Sequence, residues 1–179
     1  IAYASAGGLM SASQMLRAGK TSRNRLYLKY ANELEIWVNR GEAGNWTVDA
    51  CGEEFVLPPS GHMAIRPDGI VQYSILKDGR RVDYSSGRLY TYVNAHGKPY
   101  EFPEITAANP YLLRKKDGET QLIPVPFLKP EQVKGLNARQ ALPLREDGAA
   151  AGSGLRLDAT DGGRADLYVD GKAFSYQLQ

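Results

Sequence analysis

Residues 26–39 read LYLKYANELEIWVN, and this stretch decides the fold class. In residues 26–30 and again in residues 34–38, an aliphatic or aromatic residue stands at every second position. A period of two places alternate side chains on opposite faces of a β-strand. Two such runs joined by a short polar segment predict a β-hairpin. Ile36 and its aliphatic neighbours are predicted to face the core, and Trp37 lies on the opposite face of the strand with Glu35 and Asn39.

The rest of the chain repeats this pattern of short alternating runs and turns. Asp-Gly pairs occur at 68–69, 78–79, 117–118, 147–148, 161–162 and 170–171. Each pair tolerates the positive backbone φ that tight hairpin turns require. About a dozen short strands at this spacing predict an all-β protein, an antiparallel β-sandwich. No helical pattern of 10–15 residues separates the runs, which argues against a βαβ sheet.

The sequence predicts one helix, a short one in the N-terminal segment. Ser11 and Gln14 stand at the spacing of a capping box, and Gly19 is placed to end the helix. We therefore assign residues 1–23 to a linker and short helix, and residues 24–179 to one β-sandwich domain.

Two segments interrupt the alternation of the predicted domain. Residues 126–140 lack a clear period of two, and residues 148–154 have the composition of a flexible loop. Residues 155–179 are too few to fold alone, so the last strands are expected to complete a sheet that begins earlier in the chain.

Composition narrows the classes of function. The chain has 179 residues, of which 42% are hydrophobic and 23% charged, and this excludes a disordered tail, a coiled coil and a collagen-like chain. Its 22 basic and 20 acidic residues are interleaved without a basic stripe, so we expect no nucleic-acid partner. No run approaches the roughly 20 apolar residues that span a bilayer, so we expect no membrane partner.

The scarcity of soft ligands predicts neither a metal site nor a cofactor. Cys51 is the single cysteine and cannot form an internal disulfide, and His62 and His96 are too few to complete a zinc site with it. Neither histidine lies in a nucleophile motif, and both are predicted to be surface turn residues. The low cysteine content leaves the compartment open between the cytosol and export from a bacterium.

A carbohydrate site is the binding hypothesis that the strand pattern suggests. Trp37 shares its parity with Glu35 and Asn39, and an indole beside polar groups fits the C–H face of a pyranose ring. The alternative is that another layer covers Trp37 and that the indole is a packing residue. Acidic pairs such as Glu33 with Glu35 offer the carboxylates of a glycosidase, but they are also typical of a solvated strand face.

Four motifs resemble a known protein family. They are the hairpin at 26–40, the Asn-Trp-Thr-Val strand at 45–48, the Val-Leu-Pro-Pro-Ser-Gly-His turn at 56–62, and the Asp-Gly-Arg-Arg-Val-Asp-Tyr segment at 78–84. This pattern is similar to the β-sandwich region that follows the catalytic barrel in large bacterial glycoside hydrolase-like proteins. The resemblance covers residues 1–105 and departs from the family at Glu33, where glycine is usual.

The resemblance implies a role without implying a catalytic residue. In that family the acid and the nucleophile belong to the barrel, so this chain is expected to be a non-catalytic accessory domain. Its expected partner is the catalytic barrel of the same polypeptide. A carbohydrate-binding module with a glycan ligand is the alternative, and a self-contained enzyme is a further one.

Overall fold

A computed structural model describes residues 2–5, 8–17, 24–68, 71–125, 130–160 and 163–179 of the chain. The fold is all-β, as predicted, and its strands form antiparallel sheets. The chain divides into two compact units, Ile1–Asp83 and Tyr84–Gln179. No helix among the described residues is long and apolar enough to cross a membrane.

The first unit contains two strands, a short helix and then a series of strands. These are β1 (Ala2–Ser5), β2 (Gly8–Ser11), α1 (Ala12–Arg17), β3 (Arg25–Lys29), β4 (Glu35–Asn39), β5 (Trp46–Ala50), β6 (Glu53–Leu57), β7 (His62–Ile65), β8 (Val71–Lys77) and β9 (Arg80–Ser86), the last of which runs past the division between the units. The sheet order is β9-β8-β7-β4-β3, and the β5-β6 hairpin joins it through a pairing of β6 with β8.

The capping box predicted for the helix is present. The Gln14 amide N–H donates to the Ser11 hydroxyl at 3.2 Å, and the Ser11 amide N–H donates to Gln14 Oε1 at 2.7 Å. This reciprocal pair satisfies two amide groups that the first turn of a helix leaves without partners. The predicted end of the helix at Gly19 lies outside the described residues.

The predicted hairpin at residues 26–39 forms, but the expected orientation of its second strand is wrong. Trp37 is only 7% exposed, whereas Ile36 and Val38 are half-buried. The register places Trp37 between Tyr27 of β3 and Met63 of β7, and Met63 is fully buried. The large side chains form a row across neighbouring strands, so the better-buried face of β4 is the one that carries the indole.

The turn of this hairpin holds Glu33 in a left-handed conformation. The φ angle of Glu33 is +63°, and its amide N–H donates to the Tyr30 carbonyl at 3.0 Å. Left-handed backbone brings the Cβ of an L-residue close to its following carbonyl oxygen. Glycine is therefore the unstrained residue at this position.

Replacing Glu33 by glycine is expected to raise the free energy of unfolding by about 1 kcal/mol, because glycine adopts this φ without steric cost. Urea denaturation of the purified chain measures the change. Glu33→Ala is the matched control, since it removes the same carboxylate but keeps Cβ. Equal stability of the Gly and Ala variants would contradict the strain that we assign to Glu33.

The second unit contains the remaining strands. These are β10 (Tyr90–Asn94), β11 (Tyr100–Glu101), β12 (Thr106–Ala107), β13 (Tyr111–Lys116), β14 (Glu119–Pro124), β15 (Glu131–Leu136), β16 (Gln140–Leu144), β17 (Leu155–Arg156), β18 (Ala165–Val169) and β19 (Ser175–Leu178). One sheet has the order β17-β16-β19-β14-β13-β10, and a four-stranded sheet has the order β11-β12-β15-β18.

The core of the second unit lies between these two sheets. Leu113 and Leu122 of the larger sheet are buried, as are Leu136 and Leu167 of the smaller one. Residues of both sheets line a shared cavity of about 430 Å³. Two antiparallel sheets with apolar side chains between them have the architecture of a β-sandwich, which is the predicted fold class.

Strand β15 lies in the segment that showed no alternation. Its pairing with β18 shifts register between Val133 and Leu136, and Gly135 between them has a φ of +78°. A β-bulge inserts one extra residue and reverses the side-chain parity beyond it. The period of two is therefore broken within the strand, which is why the pattern of residues 126–140 concealed it.

The Asp-Gly turns behave as predicted wherever the structure describes them. At 78–79 and 117–118 both residues have positive φ, which is typical of a type I′ hairpin turn. At 147–148 and 170–171 only the glycine does. The pairs at 68–69 and 161–162 lie partly or wholly outside the described residues.

Candidate functional site

The structure places the predicted carbohydrate platform in a buried setting. The Trp37 ring lies 5.1 Å from the Tyr27 ring, centroid to centroid, and Asn39 is only 2% exposed. The burial of Trp37 agrees with the interpretation of the indole as a packing residue. An indole that is covered in this way offers no free face to a sugar ring.

Asn39 joins three separate segments through its side chain. Its Nδ2 group donates to the Leu57 carbonyl at 2.9 Å and to the Gly44 carbonyl at 3.0 Å, while its Oδ1 accepts from the Gly41 amide at 3.2 Å. A buried backbone polar group that loses its partner costs about 1–3 kcal/mol. Asn39 is therefore a structural residue that fixes the end of β6 and the loop after β4.

Glu35 is occupied by partners from the neighbouring strand. It accepts the Tyr27 hydroxyl at 2.7 Å and the Lys29 ammonium at 2.8 Å. Partial burial acts to raise the pKa of Glu35, but the hydrogen bonds from Lys29 and Tyr27 outweigh it and lower that pKa. Burial, followed by the contact with Glu35, raises the pKa of Tyr27 to about 12. Glu35 is thus held as a carboxylate between two donors.

The Pro-Pro-Ser-Gly turn is tight because glycine ends it. The Gly61 amide donates to the Pro58 carbonyl at 2.7 Å, and a Cβ built on Gly61 would lie 2.8 Å from that oxygen and from the Ser74 carbonyl oxygen. Contacts this short require a backbone shift, so only glycine fits. The Gly61 carbonyl in turn accepts the Asn39 amide N–H at 2.8 Å.

A polar network connects this turn to strand β9. Arg81 donates through Nε to the Ser74 hydroxyl at 2.8 Å and through its terminal nitrogens to the carbonyls of Pro59 and Ser60 at 3.4 and 3.3 Å. The Ser74 hydroxyl donates to Asp83 Oδ1 at 2.5 Å. The segment at 78–84 is therefore bound to the Pro-Pro-Ser-Gly turn through Arg81.

His62 differs from its predicted role as a surface turn residue. It begins β7, is half-buried, and lies opposite Ser74 in the register. Burial lowers the pKa of His62, and the nearby Arg81 acts in the same direction while Asp83 opposes it. The neutral imidazole is therefore favoured. His96, by contrast, is exposed in a turn with a φ of +52°, as predicted.

A groove of about 710 Å³ on the second unit is the candidate site that the sequence did not single out. It lies where β17 and its following residues face β18 and the start of β19. Its walls combine apolar, aromatic and charged side chains from the segments 151–157, 166–168, 170–173, Pro143 and Tyr176.

An exposed tyrosine stands in this groove. On β18 the residues Ala165, Leu167 and Val169 are buried, while Tyr168 between them is 63% exposed. Asp166 shares the parity of Tyr168 and accepts a hydrogen bond from Gln132 Nε2 at 3.3 Å. An open aromatic face and a hydrogen-bonded carboxylate therefore stand two residues apart on one strand face.

The rim of the groove is set by the turn after β18. Asp170 accepts the Lys172 amide N–H at 3.0 Å and the Tyr176 hydroxyl at 3.4 Å, and the Lys172 ammonium lies 3.5 Å from its second oxygen. The backbone N–H of Lys172 is the main reason that the pKa of Asp170 is lowered. Burial, followed by Asp170, raises the pKa of Tyr176. Asp170 is therefore an ionised acceptor at the edge of the groove.

The alternation of residues 165–169 carries a signal that could have identified Tyr168. Leu167 and Val169 share one parity, and Tyr168 shares the other with Asp166. The same reasoning failed at Trp37, because parity identifies which residues share a face without identifying which face is covered.

Two further searches, for metal-binding clusters among the described residues and for similar proteins, gave no candidates. Within the described ranges, no group of three or more His, Cys, Asp or Glu residues could hold a metal ion. Comparison of the chain with protein-family models, curated proteins and solved structures finds no match.

Proposed function

We propose that this chain is a non-catalytic accessory β-sandwich domain of a bacterial glycoside hydrolase, working beside a catalytic barrel in the same polypeptide. The observation that carries the proposal is the contact between two of the motifs that resemble that family. Arg81 of the Asp-Gly-Arg-Arg-Val-Asp-Tyr segment donates directly to the Pro59 and Ser60 carbonyls of the Pro-Pro-Ser-Gly turn, and both Arg81 and Asp83 bind the Ser74 hydroxyl of β8.

The chemistry of this network supports an architectural role. The guanidinium of Arg81 donates to two backbone carbonyls and to the Ser74 hydroxyl. Ser74 as a residue is only 2% exposed. Groups committed to one another in this way fix a turn geometry and leave little capacity to bind a substrate. Because these motifs fix the structure of the domain, they support an accessory role.

This proposal predicts a barrel-sized region upstream of residue 1 in the natural polypeptide. The full-length protein is expected to hydrolyse aryl glycosides, and the chain described here is expected to show no such activity on its own, since the family's acid and nucleophile belong to the barrel. Sequencing upstream of Ile1 and assaying both proteins on the same glycoside panel tests this. A full-length protein without a barrel, or an isolated chain that turns over glycosides, would overturn the proposal.

A second candidate function, carbohydrate binding, is favoured by the groove at Tyr168. A tyrosine ring that is 63% exposed can stack on the apolar C–H face of a sugar. Asp166 and Asp170 supply acceptors for hydroxyl groups, and Arg156 and Lys172 supply donors. Carbohydrate sites need this combination of one aromatic face and convergent polar groups.

The binding candidate predicts that Tyr168→Ala weakens glycan affinity about tenfold or more, which corresponds to about 1.4 kcal/mol. Isothermal titration against a panel of neutral oligosaccharides measures the affinity. Tyr30→Ala is the matched control, because Tyr30 is also an exposed tyrosine, at 50%, but belongs to the other unit.

Two results would contradict glycan binding at this groove. One is a panel in which the unmodified chain gives no heat with any oligosaccharide. The other is a loss of affinity that is equal in the Tyr168→Ala and Tyr30→Ala variants. Either result leaves the accessory role standing, since that role is tested by the upstream sequence.

A further inference from the structure

A second surface on the Tyr84–Gln179 unit combines apolar side chains with clustered cations. We call it the Leu89 surface, and it comprises Arg88, Leu89, Tyr90, Leu112, Arg114, Lys115 and Lys116. All of these except Arg88 line one surface cavity of about 570 Å³. Neither of the functions proposed above uses any of these residues.

The strand register builds this surface. Tyr90 of β10 pairs with Arg114 of β13, which places the two side chains side by side on the same sheet face. The Lys115 amide N–H donates to the Leu89 carbonyl at 2.7 Å and ties the residues before β10 to β13. The protruding apolar residue is therefore held by backbone bonds beside a run of three basic residues.

Leu89 and Tyr90 are unusually open to solvent for their size. Leu89 is 70% exposed and Tyr90 is 48% exposed. An isolated exposed leucine is ordinary, but an exposed leucine, a tyrosine and a half-buried Leu112 around one cavity form a patch. Such a patch indicates a contact with an apolar phase or partner.

The charge of the surface is positive. Arg88, Arg114, Lys115 and Lys116 are all exposed, and the acidic residues that follow the basic run are Asp117 and Glu119, the register partner of Lys116. Lys116 approaches Asp117 only to 4.0 Å, and Glu119 accepts a hydrogen bond from Gln177 at 3.1 Å. Four cations against two carboxylates leave an excess positive charge next to the apolar patch.

We propose that the Leu89 surface docks the domain onto an anionic lipid bilayer. Basic side chains are attracted to an anionic membrane surface, and leucine and tyrosine are residues that enter the boundary between headgroups and acyl chains. The sequence predicted no membrane partner because no segment is long enough to span a bilayer. Binding at the surface requires no such segment.

A bilayer fits this surface better than a soluble polyanion does. A polysaccharide or nucleic acid would use the cations and leave Leu89 in water, whereas a lipid surface satisfies both the charge and the apolar group. The role of Leu89 therefore separates the two cases.

The test measures co-sedimentation of the whole chain with vesicles of phosphatidylcholine alone and of phosphatidylcholine mixed with phosphatidylglycerol. Binding is expected only to the anionic vesicles and is expected to weaken as salt is added. Arg114→Gln/Lys116→Gln is expected to lower the partition coefficient about tenfold or more, since two surface charges are removed. Leu89→Ser is expected to lower it several-fold, because an apolar group no longer enters the boundary region.

Lys134→Gln/Arg139→Gln is the matched control, since it removes two exposed cations of the same unit outside the Leu89 surface. It is expected to bind like the unmodified chain, and circular dichroism confirms that each variant is folded. Absence of binding to anionic vesicles would overturn the proposal. So would equal losses in the two double variants, or full binding by Leu89→Ser, which would identify a general polyanion site.

Discussion

The side chain of Asn39 makes three hydrogen bonds in a position that is almost closed to solvent, and the first unit depends on them. Its amide nitrogen serves the carbonyls of Gly44 and Leu57, its oxygen serves the amide of Gly41, and its own backbone amide binds the carbonyl of Gly61. An asparagine side chain can donate and accept at once, and this geometry requires both. Asn39 and Trp37 lie on the same, better-buried face of β4.

Hydrogen bonds connect this face of β4 to other parts of the unit. The Gly61 carbonyl belongs to the Pro-Pro-Ser-Gly turn, and Arg81 binds the carbonyls of Pro59 and Ser60 in the same turn. A chain of hydrogen bonds thus runs from β4 through the turn to β9. Because the polar groups of this turn and of Arg81 are bound to one another, we interpret them as determinants of structure.

Local patterns predicted the strands and turns well, since strand alternation and Asp-Gly turns are properties of a few consecutive residues. The hairpin at 26–39, the capping box at Ser11 and the left-handed turns at 78–79 and 117–118 are examples. The predictions that failed concern features that depend on long-range packing. The face of β4 that is buried is decided by Tyr27 and Met63 on neighbouring strands, and the bulge at Gly135 is decided by the pairing of β15 with β18. The alternation of side chains along one strand determines neither the buried face nor the position of the bulge.

The candidate sites show the same contrast between local patterns and long-range packing. Trp37 was predicted as a platform because its neighbours in sequence are polar, but those neighbours are engaged within the fold. Tyr168 has an equally polar neighbour in Asp166 and remains open, because the opposite face of β18, with Leu167 and Val169, is the buried one. Exposure is a property of the assembled sheet. Alternation marks Tyr168 and Asp166 as sharing a strand face, but only the structure shows that this face and the Leu89 surface are open.

The most direct test of this account is the free energy of unfolding of an Asn39→Asp variant in urea. Aspartate keeps the shape and the acceptor but lacks the two N–H donors, so the carbonyls of Gly44 and Leu57 lose their partner and a charge is buried. A loss of about 2–4 kcal/mol is expected, against less than about 0.5 kcal/mol for Asn45→Asp at an exposed position. Equal and small losses in the two variants would contradict the claim that the buried face of β4 organises the unit.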